Sequence, residues 1–250
     1  GIQGGGYDRV NNVGPAAAEI LRVNPDDTWD VIIGDRDDAD REPLSGLRSG
    51  FGQFFNGYMW AMTEHDGWLY AGSYDWTVTL KWSTLAEAPE RVRKVVGLVG
   101  SDAMIEAEGG ADLWRTADGE NWFPVDRRGF GNPYNWGIRN LLSTPLGLWV
   151  GTANGLCKLI SRKNGVFSFQ QIDYNEKTEG LFVQKLKEDA SGNLWIGTKT
   201  SGIYKFEASS KKLISLLEKG LQKDINIDVR AIDIDPKGSL WIGTYNGIYV

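Results

Sequence analysis

The 250 residues contain one cysteine, Cys157, and one histidine, His65. A lone cysteine excludes an internal disulfide and a cysteine-based zinc site. A lone histidine removes a His-rich metal centre and the usual Ser-His-Asp triad. Apolar runs are only a few residues long, too short for a membrane helix. The net charge is −6 with both signs mixed along the chain, which gives no electrostatic reason to expect nucleic acid. No metal and no cofactor are expected. What the chain does have is 32 glycines and 11 tryptophans in an ordinary globular background, 41% apolar and 24% charged. Those two excesses point to repeated tight turns in a β architecture.

One phrase recurs. Leu148-Trp149-Val150-Gly151-Thr152, Leu194-Trp195-Ile196-Gly197-Thr198 and Leu240-Trp241-Ile242-Gly243-Thr244 follow one another at intervals of 46 residues. A looser copy, Leu69-Tyr70-Ala71-Gly72-Ser73, lies 79 residues before the first. Turn signals such as Ala190-Ser191-Gly192-Asn193 precede the phrase, and alternating segments such as Val229 to Asp235 precede the turns. A period in the forties made of short strands marks propeller blades. The fold class is therefore an all-β propeller of four-stranded blades, four favoured, with five blades or a fragment of a larger ring left open. The three phrase tryptophans are assigned to the core.

Outer strands repeat too. Glu19-Ile20-Leu21-Arg22 matches Asp112-Leu113-Trp114-Arg115, each seven residues before a tryptophan, Trp29 or Trp122. The chain reads as one domain over 1–250. Blades fall at 50–127, 129–173 and 180–218, and a closing blade takes its outer strands from 16–34 and its inner strands from 226–250. Such closure would remove open sheet edges. The leftover Ile248-Tyr249-Val250 competes with Glu19 to Val23 for one strand position. The 79-residue interval is 33 longer than the period, which marks 77–110 as an insertion. Leu85, Val92, Val95, Val96 and Val99 recur there near helical spacing, so a short amphipathic helix is expected.

Composition changes abruptly at Asn154-Gly155. Residues 1–155 hold 11 Arg and 2 Lys, residues 156–250 hold 2 Arg and 12 Lys, and nine of the 11 tryptophans precede the change. It falls inside a blade, where one folded ring gives no reason for the exchange. Chance drift is one reading; the favoured one is two sequences of different origin joined in a chimeric or engineered ring.

Residues 145–250 resemble the two-component regulator propeller repeat, D-x-x-G-x-L-W-I-G-T-x-x-G-I-x-x-F, in Asp189 to Phe206 and again in Asp235 to Tyr249. The resemblance covers about two-fifths of the chain. It implies the periplasmic sensor regions of bacterial hybrid histidine kinases, many of which sense glycans, and hence a periplasmic or extracellular setting. The compartment itself is not written in the sequence. Residues 1–155 resemble a different set of bacterial propellers with no activity attached. Thr116 to Trp122 resembles a shortened Asp-box, a folding device on an outer hairpin.

Propeller geometry gathers the D–A and B–C loops on one face. That face would collect Tyr7, Asp8, Asn56, Tyr74, Asp75, Trp76, Tyr134, Asn135, Tyr245 and Asn246. Rings beside amides and carboxylates suit an oligosaccharide, the rings stacking on C–H faces and the amides fixing hydroxyls. The competing assignment is that Phe51, Phe130, Tyr134 and Trp136 fill gaps between blades. Asp8 and Asp75 could form an acid–base pair of a lyase or glycosidase, although the supporting His or Tyr–Arg set is missing. The run Asp35 to Asp40 lacks the spacing of a calcium loop, and Gly4-Gly5-Gly6 lacks the context of a phosphate loop. His65 is assigned to the surface and Cys157 to a packed outer strand. No catalytic residue is assigned. The readings that follow are a non-catalytic chimeric propeller without selected activity, then a module binding a glycan or a protein, then an enzyme. A monomer is expected, with association through unpaired strand edges as the alternative.

Overall fold

The computed structural model describes residues 7–8, 13–15, 17–36, 42–81, 90–163, 166–172, 181–216 and 228–250. Gly4 to Gly6, most of the acidic run (37–40) and Leu85 lie outside them. The chain divides into two compact units, one of Gly1–Trp60 with Gly67–Gly137, the other of Ala61–Asp66 with Ile138–Val250.

The first unit opens with two short strands, β1 (Tyr7–Asp8) and β2 (Val13–Pro15), paired with each other. The hairpin β3 (Ile20–Val23) and β4 (Trp29–Ile33) forms a two-stranded sheet of its own. Next comes a four-stranded antiparallel sheet in the order β5 (Asn56–His65), β6 (Trp68–Asp75), β7 (Leu113–Thr116), β8 (Trp122–Asp126). Ile32, Ile33, Phe51, Ala71, Trp114 and Trp122 form one core.

The insertion leaves β6 and returns to β7 without disturbing their register. Gly72 pairs with Leu113, and the Ser73 amide donates to Asp112 O at 2.9 Å. Between them lie a 3-10 turn (Thr77–Lys81) and two helices, α1 (Glu90–Val99) and α2 (Ser101–Glu108). Of the expected apolar stripe on α1, Val96 is buried while Val95 and Val99 are exposed, so the helix is anchored by a narrower contact than its periodicity suggests.

The Asp-box hairpin is organised by one carboxylate. Asp118 Oδ1 accepts the amides of Glu120 (2.9 Å) and Asn121 (2.7 Å), and its Oδ2 accepts Asn121 Nδ2 (2.7 Å). The Asn121 side chain, followed by the Asn121 and Glu120 amides, holds this carboxyl far below its ordinary range.

The second unit carries three sheets in chain order. The first is β9 (Ile138–Thr144), β10 (Gly147–Thr152), β11 (Gly155–Lys163) and β12 (Val166–Ile172). The second is β13 (Val183–Glu188), β14 (Leu194–Thr198), β15 (Ile203–Glu207) and β16 (Lys212–Ser215). The third is β17 (Val229–Ile234), β18 (Leu240–Thr244) and β19 (Gly247–Tyr249).

Each position of the repeated phrase has a physical task here. The aspartate ahead of it builds the A–B turn: Asp189 accepts the Ser191 and Asn193 amides and Trp195 Nε1 at 3.0 Å. Asp235 does the same with the Lys237 and Ser239 amides and Trp241 Nε1 at 3.1 Å. The closing threonine builds the B–C turn, with the hydroxyls of Thr152, Thr198 and Thr244 donating to Gly155, Gly202 and Gly247 carbonyls. Leucine and isoleucine fill the core that Trp149, Leu156, Val183, Leu194, Ile196, Tyr204 and Phe206 share.

Three expectations are corrected. The third place in the C-terminal sheet is taken by β19, reached from β18 through a tight turn, while β3–β4 stay a separate pair. Among the described residues the expected outer strand is thus supplied locally, and a local strand closes at lower entropic cost than a distant one. Trp149 is fully buried (0%) and Trp195 half-buried, but Trp241 is 43% exposed, so phrase position alone does not guarantee burial. His65 does sit beside a hairpin, yet its side chain is only 11% exposed and its Nδ1 lies 2.9 Å from Ser143 Oγ. Cys157 is a packed thiol that donates to Gln171 Oε1.

Candidate functional site

Two loops of like sequence, Gly50 to Asn56 and Gly129 to Asn135, adopt the same backbone. In each, a glycine and the following phenylalanine are left-handed: Gly50 and Phe51 at φ 64° and 60°, Gly129 and Phe130 at φ 57° and 61°. A left-handed phenylalanine costs about 1–2 kcal/mol, so the surroundings must hold it. The asparagine six residues on does so. Asn56 Nδ2 donates to Gly50 O at 3.0 Å, and Asn135 Nδ2 donates to Gly129 O at 3.2 Å. The loop then clamps the chain entering an outer strand. Ala18 exchanges amide and carbonyl bonds with Asn56 and Gly50, and Ala111 does so with Asn135 and Gly129. Phe51 stacks on Trp114, with centroids 4.5 Å apart.

Asn56 also closes a buried polar knot. Its Nδ2 donates to Asp112 Oδ2 (2.9 Å), and its Oδ1 accepts the Ser73 hydroxyl (2.7 Å). Trp114 Nε1 adds a third bond to Asp112 at 3.2 Å, and Arg127 Nε lies 3.6 Å away. Burial pushes the Asp112 carboxyl up to about 6, against the pull of Asn56, Trp114 and Arg127.

Asp75 lies at the end of β6 with no solvent exposure (0%). Its Oδ1 accepts the Thr77 amide at 2.9 Å and the Thr77 hydroxyl, fixing the first turn of the insertion. Its Oδ2 has no hydrogen-bond partner among the described residues, and the same holds for Asn135 Oδ1. Burial pushes Asp75 up to about 7. Thr77 and the Gly110 amide oppose that shift, and the neighbouring Asp112 adds to it.

The aromatic residues around it form an interior. Tyr74 stacks on Tyr58 at 4.6 Å, and Trp76 meets Phe55 edge-on at 4.7 Å. Together with Leu80 and Val96 they pack the insertion against the sheet. A Cβ on Gly57 would lie 3.2 Å from the Trp76 ring, so glycine is what lets the indole in. Burial, then Tyr58 and Asp75, push the Tyr74 hydroxyl up to about 12.

The ten loop-face residues therefore separate by burial. Asn56, Tyr74, Asp75, Trp76 and Asn135 come together but are buried, because each is spent on the loop clamps and the seat of the insertion. Trp76, at 7% exposure, fills space and offers no platform. Tyr134 is exposed in the first unit with Lys81 Nζ 5.3 Å above its ring, and Lys81 pairs with Asp102 at 3.0 Å. Tyr245 and Asn246 are exposed in the second unit, where Arg230 lies 5.4 Å from the Tyr245 ring. Tyr7 and Asp8 are placed only as strand β1. Phe51 fills the core as the competing assignment has it, whereas Tyr134 does not. No group of three metal-ligating side chains occurs among the described residues. Ser73 and Asp112 were missed from sequence. Their partner Asn56 is assigned by sequence to a ligand face, and that assignment hides the knot.

The class defined by this arrangement is an all-β propeller of four-stranded antiparallel blades. Residues 224–246 match the two component regulator propeller family. Over 77 residues the chain is 47% identical to histidine kinase P4 of Formosa agariphila, covering 29% of this chain and 6% of the kinase. The extracellular domain of a hybrid two component system from B. thetaiotaomicron superposes with a TM-score of 0.51 at 19% identity, over 98% of this chain and 27% of that one. PorZ, a surface component of the type-IX secretion system of Porphyromonas gingivalis, gives 0.52 at 13% identity, over 94% and 29%. The chain thus spans less than a third of each of these relatives.

Proposed function

We propose that the chain is a non-catalytic, sensor-type propeller module that binds an oligosaccharide or a protein, and that it works outside the cytoplasm. The observation that carries the non-catalytic part is that Asp75, one member of the candidate Asp8–Asp75 pair, is closed to solvent together with its neighbour Asp112. Asp75 and Asp112 are 0% and 1% exposed and are tied to the chain's own turns, so neither can reach a substrate. A general acid or base must come within hydrogen-bond distance of the proton it moves. Binding falls to what the loops leave outside, the Tyr134–Lys81 pair and the Tyr245–Asn246 turn. The match of 224–246 to a regulator propeller supports the sensor reading. A melting screen against oligosaccharide pools tests it, since a ligand of the folded state raises the melting temperature. A ligand should raise it without being cleaved. Product formation from any oligosaccharide would defeat the proposal, and so would a shift that survives both Tyr134→Ala and Tyr245→Ala.

A second reading, that 1–155 and 156–250 have separate origins, is supported by the exchange of arginine for lysine at Asn154-Gly155. Voids or unpaired buried polar groups concentrated beside that junction in an experimental structure would bear it out, and uniform packing there would count against it.

A further inference from the structure

In the second unit the phrase glycine does one job twice. A Cβ on Gly151 would lie 2.6 Å from Val183 Cγ1 and 3.3 Å from Leu186 Cδ1. On Gly197 it would lie 2.5 Å from Val229 Cγ1 and 3.0 Å from Ile232 Cδ1. The missing side chain is the space into which the next sheet's inner strand sets a valine, 32 residues after the glycine in both cases. Val183 and Val229 are both fully buried by it. A polar contact accompanies the second seat: Gln184 Nε2 donates to Asp228, the residue just ahead of Val229.

At Gly243 the three atoms nearest to an added Cβ all belong to Ala231 of its own sheet, the first at 3.2 Å. Trp241 is exposed beside it, as are Tyr245 and Ile248. Arg230, the residue that matches Gln184 one period on, lies over the Tyr245 ring and already pairs through one amino group with Asp228 at 2.7 Å, with its other donors left for a second carboxylate. We propose that this face of the β17–β19 sheet is a docking surface for one further propeller blade. Its first strand would open with Asp-Val, the valine seated on Gly243 and the carboxylate on Arg230. The surface continues two interfaces already built in the same unit, and it is set for the same knob. A second copy of the chain is not the occupant, because both of its Asp-Val or Phe-Val strand openings are already seated. The inner strand β5 carries Tyr58 where β13 and β17 carry valine, 14 residues ahead of the phrase glycine, and that ring is stacked on Tyr74.

The probe is the chain itself with a second copy of residues 206–250 appended after Val250. That copy supplies a fourth strand to the β17–β19 sheet and then an Asp-Val inner strand. Amide exchange in β17 and β18 should slow about tenfold or more relative to the unextended chain. Gly243→Leu in the extended chain should abolish the gain while leaving exchange in the unextended chain unchanged. Val229→Asp made in the appended copy alone should do the same. Absence of added protection overturns the proposal, as does protection that survives either substitution. Concentration-dependent protection of the unextended chain, lost with Gly243→Leu, would show self-association and overturn it as well.

Discussion

Trp76 and Asp75 stand side by side in the sequence and behave in opposite ways. Trp76 is packed between Phe54 and Phe55, so Trp76→Ala should open a cavity and cost about 3–5 kcal/mol of stability, read from urea unfolding. A loss below about 1 kcal/mol would mean that the indole is a surface group after all. Asp75 instead links stability to pH. Its folded carboxyl keeps the proton up to about 7, against an ordinary value of 3.8, so the folded state holds an extra proton across that window. Its contribution is complete below the ordinary value and is lost as pH rises through 7. Asp112 acts in the same sense up to about 6. The turn aspartates oppose this at the acid end. At Asp189 burial raises the carboxyl, but Asn193, Trp195 and Ser191 outweigh it, and Asp235 is lowered chiefly by Trp241. Their support is lost as pH falls below the ordinary range. Asp75→Asn, which cannot ionise, should flatten the decline in unfolding midpoint between about pH 4 and pH 7. An unchanged slope would assign that decline elsewhere.

Among the elements, the inner strand pair gives the most direct comparison, because one substitution can be made at three equivalent places. Gly151→Ala and Gly197→Ala would drive a methyl into Val183 and Val229 and should cost about 1–3 kcal/mol each. Gly243→Ala meets only the Ala231 methyl at 3.2 Å and should cost less than about 1 kcal/mol. Equal losses at all three would refute the seating of one sheet on the next. This is also where sequence reasoning reached its limit. The strand pairs, the turns and the helical insertion were legible because their determinants are local: alternation, Asx and threonine turns, a 46-residue period. The task of the phrase glycine was not, since it lies in a side chain that is absent and in a valine 32 residues away. Asn56 and Asn135 escape sequence reasoning for a related reason. An asparagine beside aromatic residues has the same local sequence whether it faces a sugar or a backbone carbonyl, and only tertiary burial decides.

At the scale of the molecule, each of the two units has hydrophobic clusters of its own, in a chain built of repeats that lean on their neighbours. Nearest-neighbour architectures lose cooperativity as they lengthen. Scanning calorimetry should therefore give a calorimetric enthalpy larger than the van 't Hoff value. Equal enthalpies would restore the expectation of one domain over 1–250. The change from arginine to lysine near Asn154 does not coincide with the division of the units, which falls at Gly137, so stability and composition divide the chain differently.

The insertion between β6 and β7 begins and ends on one residue pair, with the Ser73 amide donating to Asp112 O at 2.9 Å and the Asp112 amide donating to Ser73 Oγ at 2.8 Å. Closing a loop of that length costs about 2–3 kcal/mol more than closing a two-residue turn. The aromatic seat under Leu80 and Val96 offsets that cost without altering the sheet. Because both ends meet at one point, the segment 77–110 is portable. Exchanging it for a short turn should keep the β6–β7 register while uncovering the rings of Phe55, Tyr74 and Trp76, so a replacement cassette must bring its own cover for them. A lineage can thus change what this blade displays at one locus without rebuilding its frame.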